Sequence, residues 1–204
     1  LNLAKNGDFM KSAIIATLIA FASLGAFAQN ASPLRIAELT AHRIDRLIQG
    51  KKIDAGFVTR LEKIEVSAVN APAPAAFRSL VSQTAPTTGT PIQLELIFDA
   101  AGKPLSFSVL PGGVAGADPK WPSASAQALL EASLHGLEAS TDMKLMPFTD
   151  ALKDLVLTKG TLKGSPVARV QVTSSSTTDK LNVYLMFDGM IMATEVIPEP
   201  AAVQ

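Results

Sequence analysis

The chain has 204 residues, 18 basic against 18 acidic side chains, no cysteine, and 5 % aromatics, with Trp121 and Tyr184 each the sole residue of its type. The lack of cysteine removes thiol nucleophiles, thiolate zinc sites and iron–sulfur clusters, and leaves the core alone to hold the fold. The balanced charge gives no electrostatic reason to expect nucleic acid or an anionic membrane surface, and so few aromatics make a stacking platform for bases or sugars unexpected.

Met10-Lys11 begins a basic start, Ala13 to Leu24 is an apolar stretch with only Thr17 and Ser23 polar, and Ala26-Phe27-Ala28 has the small-x-small pattern of a cleavage site. This anatomy predicts a secretory leader over 10–28, cut between Ala28 and Gln29. Residues 1–9 fit neither leader nor domain and read as a start assigned too early. The apolar core is shorter than the about 20 residues that span a bilayer. No later stretch is apolar enough to do so, and Gln29 stands where a lipid-anchored protein carries cysteine. The expectation is a periplasmic or secreted protein with no membrane anchor after leader removal. Loss of residues 1–28 leaves 16 basic and 17 acidic side chains.

A first unit is expected over 32–110. Ser32 and Pro33 cap a helix over Leu34–Gln49, whose Ile36, Leu39, Ile44, Leu47 and Ile48 share a face, and Gly50 stops it. Alternation predicts strands over Leu61–Val69, Phe77–Gln83, Ile92–Phe98 and Leu105–Leu110. Pro111 to Pro122 has the Gly/Pro composition of a linker. A second unit follows over 123–197. Its helix is capped by Ser123 or Ser125 and buries Leu129, Leu130, Leu134 and Leu137, with Gly136 weakening it. Ala151–Leu157 is ambiguous between strand and helix, and Val167–Thr173, Leu181–Phe187 and Met190–Ile197 read as a meander. Asp188-Gly189 is its hairpin turn, and 198–204 is a flexible tail.

The two units align. Thr88–Asp99 matches Thr177–Asp188 with Phe-Asp closing both, and Leu61–Val66 resembles Leu152–Leu157. A period of roughly 90 residues predicts a tandem duplication. The expected fold class is therefore α+β, with two tandem repeats, each one helix packed on a roughly four-stranded, mostly antiparallel sheet. This element order is similar to that of cystatin-like folds and of the two-repeat β-lactamase inhibitory protein. That inhibitor's disulfides and aromatic-rich concave face have no counterparts here, so the resemblance implies a layout and no residue roles.

Both histidines sit in one local pattern, Glu38-x3-His42-x2-Asp45 and Glu131-x3-His135-x2-Glu138. Each trio shares a helix face suited to a carboxylate–imidazole metal site. That face lies opposite the apolar stripe, so the favoured reading is solvated surface. Met186, Met190 and Met192 flank the last turn, and Met143 and Met146 precede it. Thioethers suit Cu(I), but the favoured reading is core packing. Gly112–Gly116 lacks the spacing of a phosphate loop, and Thr173–Thr178 reads as a hairpin loop without a nucleophile elbow. Trp121 is expected to staple the second helix to a sheet. No catalytic residue, cofactor or metal ligand is assigned. The reading is a non-enzymatic binding or interaction module for a protein or peptide. An edge strand such as Met190–Ile197 would accept an extended segment. The alternative is a carrier of a small apolar ligand between the two sheets, enclosed by Leu94, Leu96, Val183 and Leu185.

Overall fold

The computed structural model describes residues 30–83, 92–111, 121 and 124–199. The leader with its Ala28–Gln29 cleavage point, residues 1–9, Thr88–Pro91, Gly112–Gly116 with most of the linker, and most of the tail lie outside the described residues.

Helix α1, Pro33–Gln49, starts where Ser32 Oγ accepts from the Arg35 amide at 3.1 Å, and ends as the Gly50 amide donates to Arg46 O at 3.0 Å. Its Ile36, Ala37, Ala41, Ile44 and Leu47 are buried. A single turn, α2 (Gly56–Thr59), buries Phe57 and leads into β1 (Leu61–Ala68), β2 (Ala75–Gln83), β3 (Ile92–Asp99) and β4 (Pro104–Pro111). Helix α3, Ala126–Glu138, is capped by Ser125 Oγ, which accepts from the Ala128 amide at 3.1 Å. A 3-10 turn (Met143–Leu145) and α4 (Met146–Asp150) follow, then β5 (Leu152–Leu162), β6 (Ser165–Ser174), β7 (Lys180–Leu185) and β8 (Ile191–Ile197). The ambiguous 151–157 segment is thus a strand. The short helices α2 and α4 carry no sequence signal strong enough to announce them.

The expected architecture of two tandem helix-on-sheet repeats is overturned. The strands form one eight-stranded antiparallel sheet in the order β4-β3-β2-β1-β5-β6-β7-β8. At its centre β1 pairs with β5 through Lys63–Val156, Ile64–Leu155 and Glu65–Asp154. Two separate sheets would leave both strands as edges with unpaired amides and carbonyls, whereas pairing satisfies those groups within the protein. The helices do not keep to halves either. Helix α1 packs on β1, β2 and β5, α3 packs on β1 and β5 through β8, and the two pack on each other. A single cluster joins Ile36 and Ile44 of α1, Leu130 and Leu134 of α3, and Leu94 and Val183 of the sheet.

The apolar-carrier alternative falls with the two sheets. Leu94, Leu96, Val183 and Leu185 are fully buried in that common core, beneath the helices of one sheet. The expected core role of the hairpin methionines is also corrected, since Met186, Met190 and Met192 are exposed. A register shift between Tyr184 and Leu185 sets Ile191 opposite Leu185. Ile191 then fills the place that a Cβ on Gly136 would occupy, which is why glycine stands within α3. Trp121 is half-buried against Phe187, ring centroids 6.2 Å apart, with Lys159 Nζ 5.6 Å from its centroid. The hydroxyl run closes the β6–β7 hairpin, where Ser174 Oγ donates to Pro147 O at 2.6 Å and so ties it to α4.

Candidate functional site

Facing each other across one sheet face, α1 and α3 run antiparallel, with Gln127 near the start of α3 donating to Ala41 O of α1 at 3.0 Å. This brings the two Glu-His-acid patterns together. A groove of about 340 Å³ between the helices is lined by Arg35, Glu38, His42, Glu131, His135 and Glu138. Asp45 lies outside it, in the groove on the other flank of α1. The expectation of fully solvated faces is corrected for Glu38, which is 8 % exposed. Two helices laid side by side on a sheet each have a flank that meets the other, and periodicity within one helix cannot reveal it.

Glu38 accepts from Arg35 Nη1 at 2.9 Å, while His42 Nδ1 stands 3.8 Å from Glu131 Oε1. Burial raises the Glu38 carboxyl above its usual 4.5; the Arg35 hydrogen bond opposes this and neighbouring Glu138 adds to the rise. Among the described residues no three His, Asp or Glu side chains are placed to hold a metal ion. Burial and the neighbouring Glu138 thus favour the protonated form of Glu38, and among the described residues the groove lining has no hydroxyl or thiol nucleophile.

Because the folded carboxyl binds its proton more tightly than the unfolded one, its contribution to stability is full below pH 4.5. That contribution is lost as pH rises through the folded value. Glu38→Gln keeps an acceptor for Arg35 and removes the charge. Thermal melts should show the variant about 2 °C more stable than the parent at pH 7, with the advantage absent at pH 4. An equal shift at both pH values would contradict this account.

A second feature lies at the sheet edge. Strand β4 is an outer strand, and its sequence Pro-Leu-Ser-Phe-Ser-Val-Leu-Pro has no charged residue. Phe107 pairs with Leu96 and Val109 with Leu94, so both point to the helix side of the sheet. Helix α1 lies over β1 and β2 and leaves them uncovered: Leu105, Phe107 and Val109 are 40 %, 37 % and 45 % exposed. Edge strands usually carry charge or are covered, because a bare apolar edge is a template for another chain.

Beside this edge, a groove of about 560 Å³ runs between α1 and the β3–β4 hairpin. Leu39, Phe98 and Pro104 give it an apolar lining, and Arg35, Arg43 and Arg46 line it with charge. Asp45 is the one acid in that lining among the described residues. Arg43 and Arg46 make no ion pair among the described residues, and the Arg43 Nε is buried without a partner. Alternation marks residues 105–110 as a strand but carries no signal for what covers it.

The opposite sheet face is polar and internally paired. Arg78 Nε donates to Glu95 Oε1 at 2.6 Å across β2 and β3, and Tyr184 Oη donates to Glu195 Oε2 at 2.8 Å across β7 and β8.

No family model matches the chain, and no curated protein does. Among solved structures, a candidate lipoprotein of Clostridium difficile 630 aligns at 10 % identity and a TM-score of 0.30, covering 77 % of this chain and 91 % of that one. Similarity at that level carries no argument about function. No helix of the described residues is long and apolar enough to cross a membrane.

Proposed function

We propose that this is an exported, non-enzymatic interaction module that accepts an extended segment of a protein partner along β4. The leader anatomy of residues 10–28 supports export. The observation that carries the reading is the uncharged outer strand with Leu105, Phe107 and Val109 exposed. Strand addition takes affinity from free backbone groups of such an edge and specificity from the side chains beside it. The other edge, β8, also exposes Met192 and Ile197, but it carries Glu195, whose carboxylate is engaged by Tyr184. Charge on an edge discourages pairing, so β4 is favoured.

A photoreactive residue replacing Ser108 tests this in secreting cells. The expected result is a discrete cross-linked adduct that Phe107→Lys reduces at least five-fold, with no adduct when the probe replaces Thr194 on β8. An adduct indifferent to Phe107→Lys, or none at Ser108, would refute the reading.

A further inference from the structure

The edge and the groove beside it together describe a partner. Along α1, the groove-lining residues Arg35, Leu39, His42, Arg46 and Gln49 form a stripe at helical spacing. From 35 to 49 it is about 21 Å long at 1.5 Å per residue. That length matches about six residues of extended chain. The stripe meets the sheet where Phe98 pairs with Pro104, at the beginning of β4. Farther along the same strand stand Phe107 and Val109. The side of the surface along α1 is basic and the side along β4 is apolar.

We propose that the segment accepted at β4 is an acidic peptide, with apolar residues opposite Phe107 and Val109 and carboxylates facing Arg43 and Arg46 across the groove beside α1. The inference rests on the edge reading and adds the chemistry of the partner. Arg35 already gives a donor to Glu38, but Arg43 and Arg46 have no acidic partner among the described residues. A guanidinium presents a planar fork of donors that fits a carboxylate; Arg43 is half-buried and gains more from meeting one than the exposed Arg46. The alternate side chains of an added strand on the Phe107 side stand on the same side of the sheet as α1.

A second copy of the chain fits less well. Strand β4 has no acid to offer, so pairing two β4 edges would bring two arginine rims together. Nucleic acid also fits poorly, because it has no backbone amide and carbonyl row to pair with the β4 edge.

The test is selection of a randomised eight-residue phage-displayed peptide library on the full chain. Acidic residues should be enriched at least five-fold at two or more positions. The winning peptide should bind at least ten-fold more weakly to Arg43→Ala/Arg46→Ala, and should lose binding to Val109→Lys. Lys51→Ala/Lys52→Ala, just beyond α1, should leave binding unchanged. If the alanine pair fails to fold by circular dichroism, Arg43→Gln/Arg46→Gln replaces it. Winners without acids, binding indifferent to the arginine variants, no enriched sequence, or equal competition by a single-stranded oligonucleotide would each overturn the acidic partner. Winners without acids that still require Val109 would leave the edge reading standing. Acidic winners indifferent to Val109→Lys would remove the edge and with it this proposal.

Discussion

Leu155→Ala is expected to cost about 2–5 kcal/mol and to lower the midpoint of one cooperative unfolding transition for the whole chain. Leu155 and Ile64 pair across the β1–β5 seam, and neither side chain reaches solvent. The lost methyl groups leave a cavity under both helices, because the core on either side of the seam is one cluster. In two independent modules, the same change would unfold β5–β8 and spare β1–β4. Urea denaturation followed by hydrogen exchange separates these cases. Protection of the β3 amides should fall together with that of β7. Unchanged protection in Ile92–Asp99 would mean that the seam does not couple the halves. Ile64→Ala combined with Leu155→Ala should also depart from additivity by about 0.5–3 kcal/mol, as contacting residues do.

Gly102→Val is expected to cost about 2–3 kcal/mol, a fall of roughly 5–10 °C in melting temperature, and to weaken binding at the β4 edge. Gly102 has φ +81°, and an added Cβ would lie 2.7 Å from Leu39 Cδ1. Leu39 can shift, so the backbone supplies most of the cost: a β-branched residue is strained in the left-handed region. The turn is otherwise tightly held. Asp99 Oδ1 accepts from the Ala101 and Lys103 amides at 3.0 and 2.8 Å, and the Ala31 amide donates to Ala100 O at 2.8 Å. This bond ties the approach to α1 onto the β3–β4 hairpin, so strain at Gly102 shifts β4 relative to the arginines. Gly102→Asn should be milder, because asparagine visits that region more readily. Equal melting temperatures for valine and asparagine would show that crowding at Leu39, and not the backbone, sets the effect.

Much of the element order is legible in one dimension because its causes are local. Ser32 and Ser125 cap helices through their own following amides, and Asp188 Oδ1 accepts from the Met190 amide to close the last hairpin. Alternation marks seven of the eight strands and leaves β5 ambiguous. The candidate site is less legible. Both histidine patterns are visible in sequence, but their meeting across α1 and α3 depends on helices that lie about 90 residues apart in the chain. Met190, Met192 and Val109 show the same limit. A period of two tells which side of a strand is apolar, and not whether a helix covers that side.

By itself the sequence determined where chain segments curl or extend, and which face of each is apolar, since caps, turns and side-chain periodicity act over a few residues. Only the tertiary structure decided that β1 pairs with β5, that Glu38 is buried against a second helix, and that β4 lies bare beside Arg43 and Arg46. Those outcomes turn on which unsatisfied edges and apolar faces find each other in space, and an alternating strand presents the same pattern to every possible neighbour.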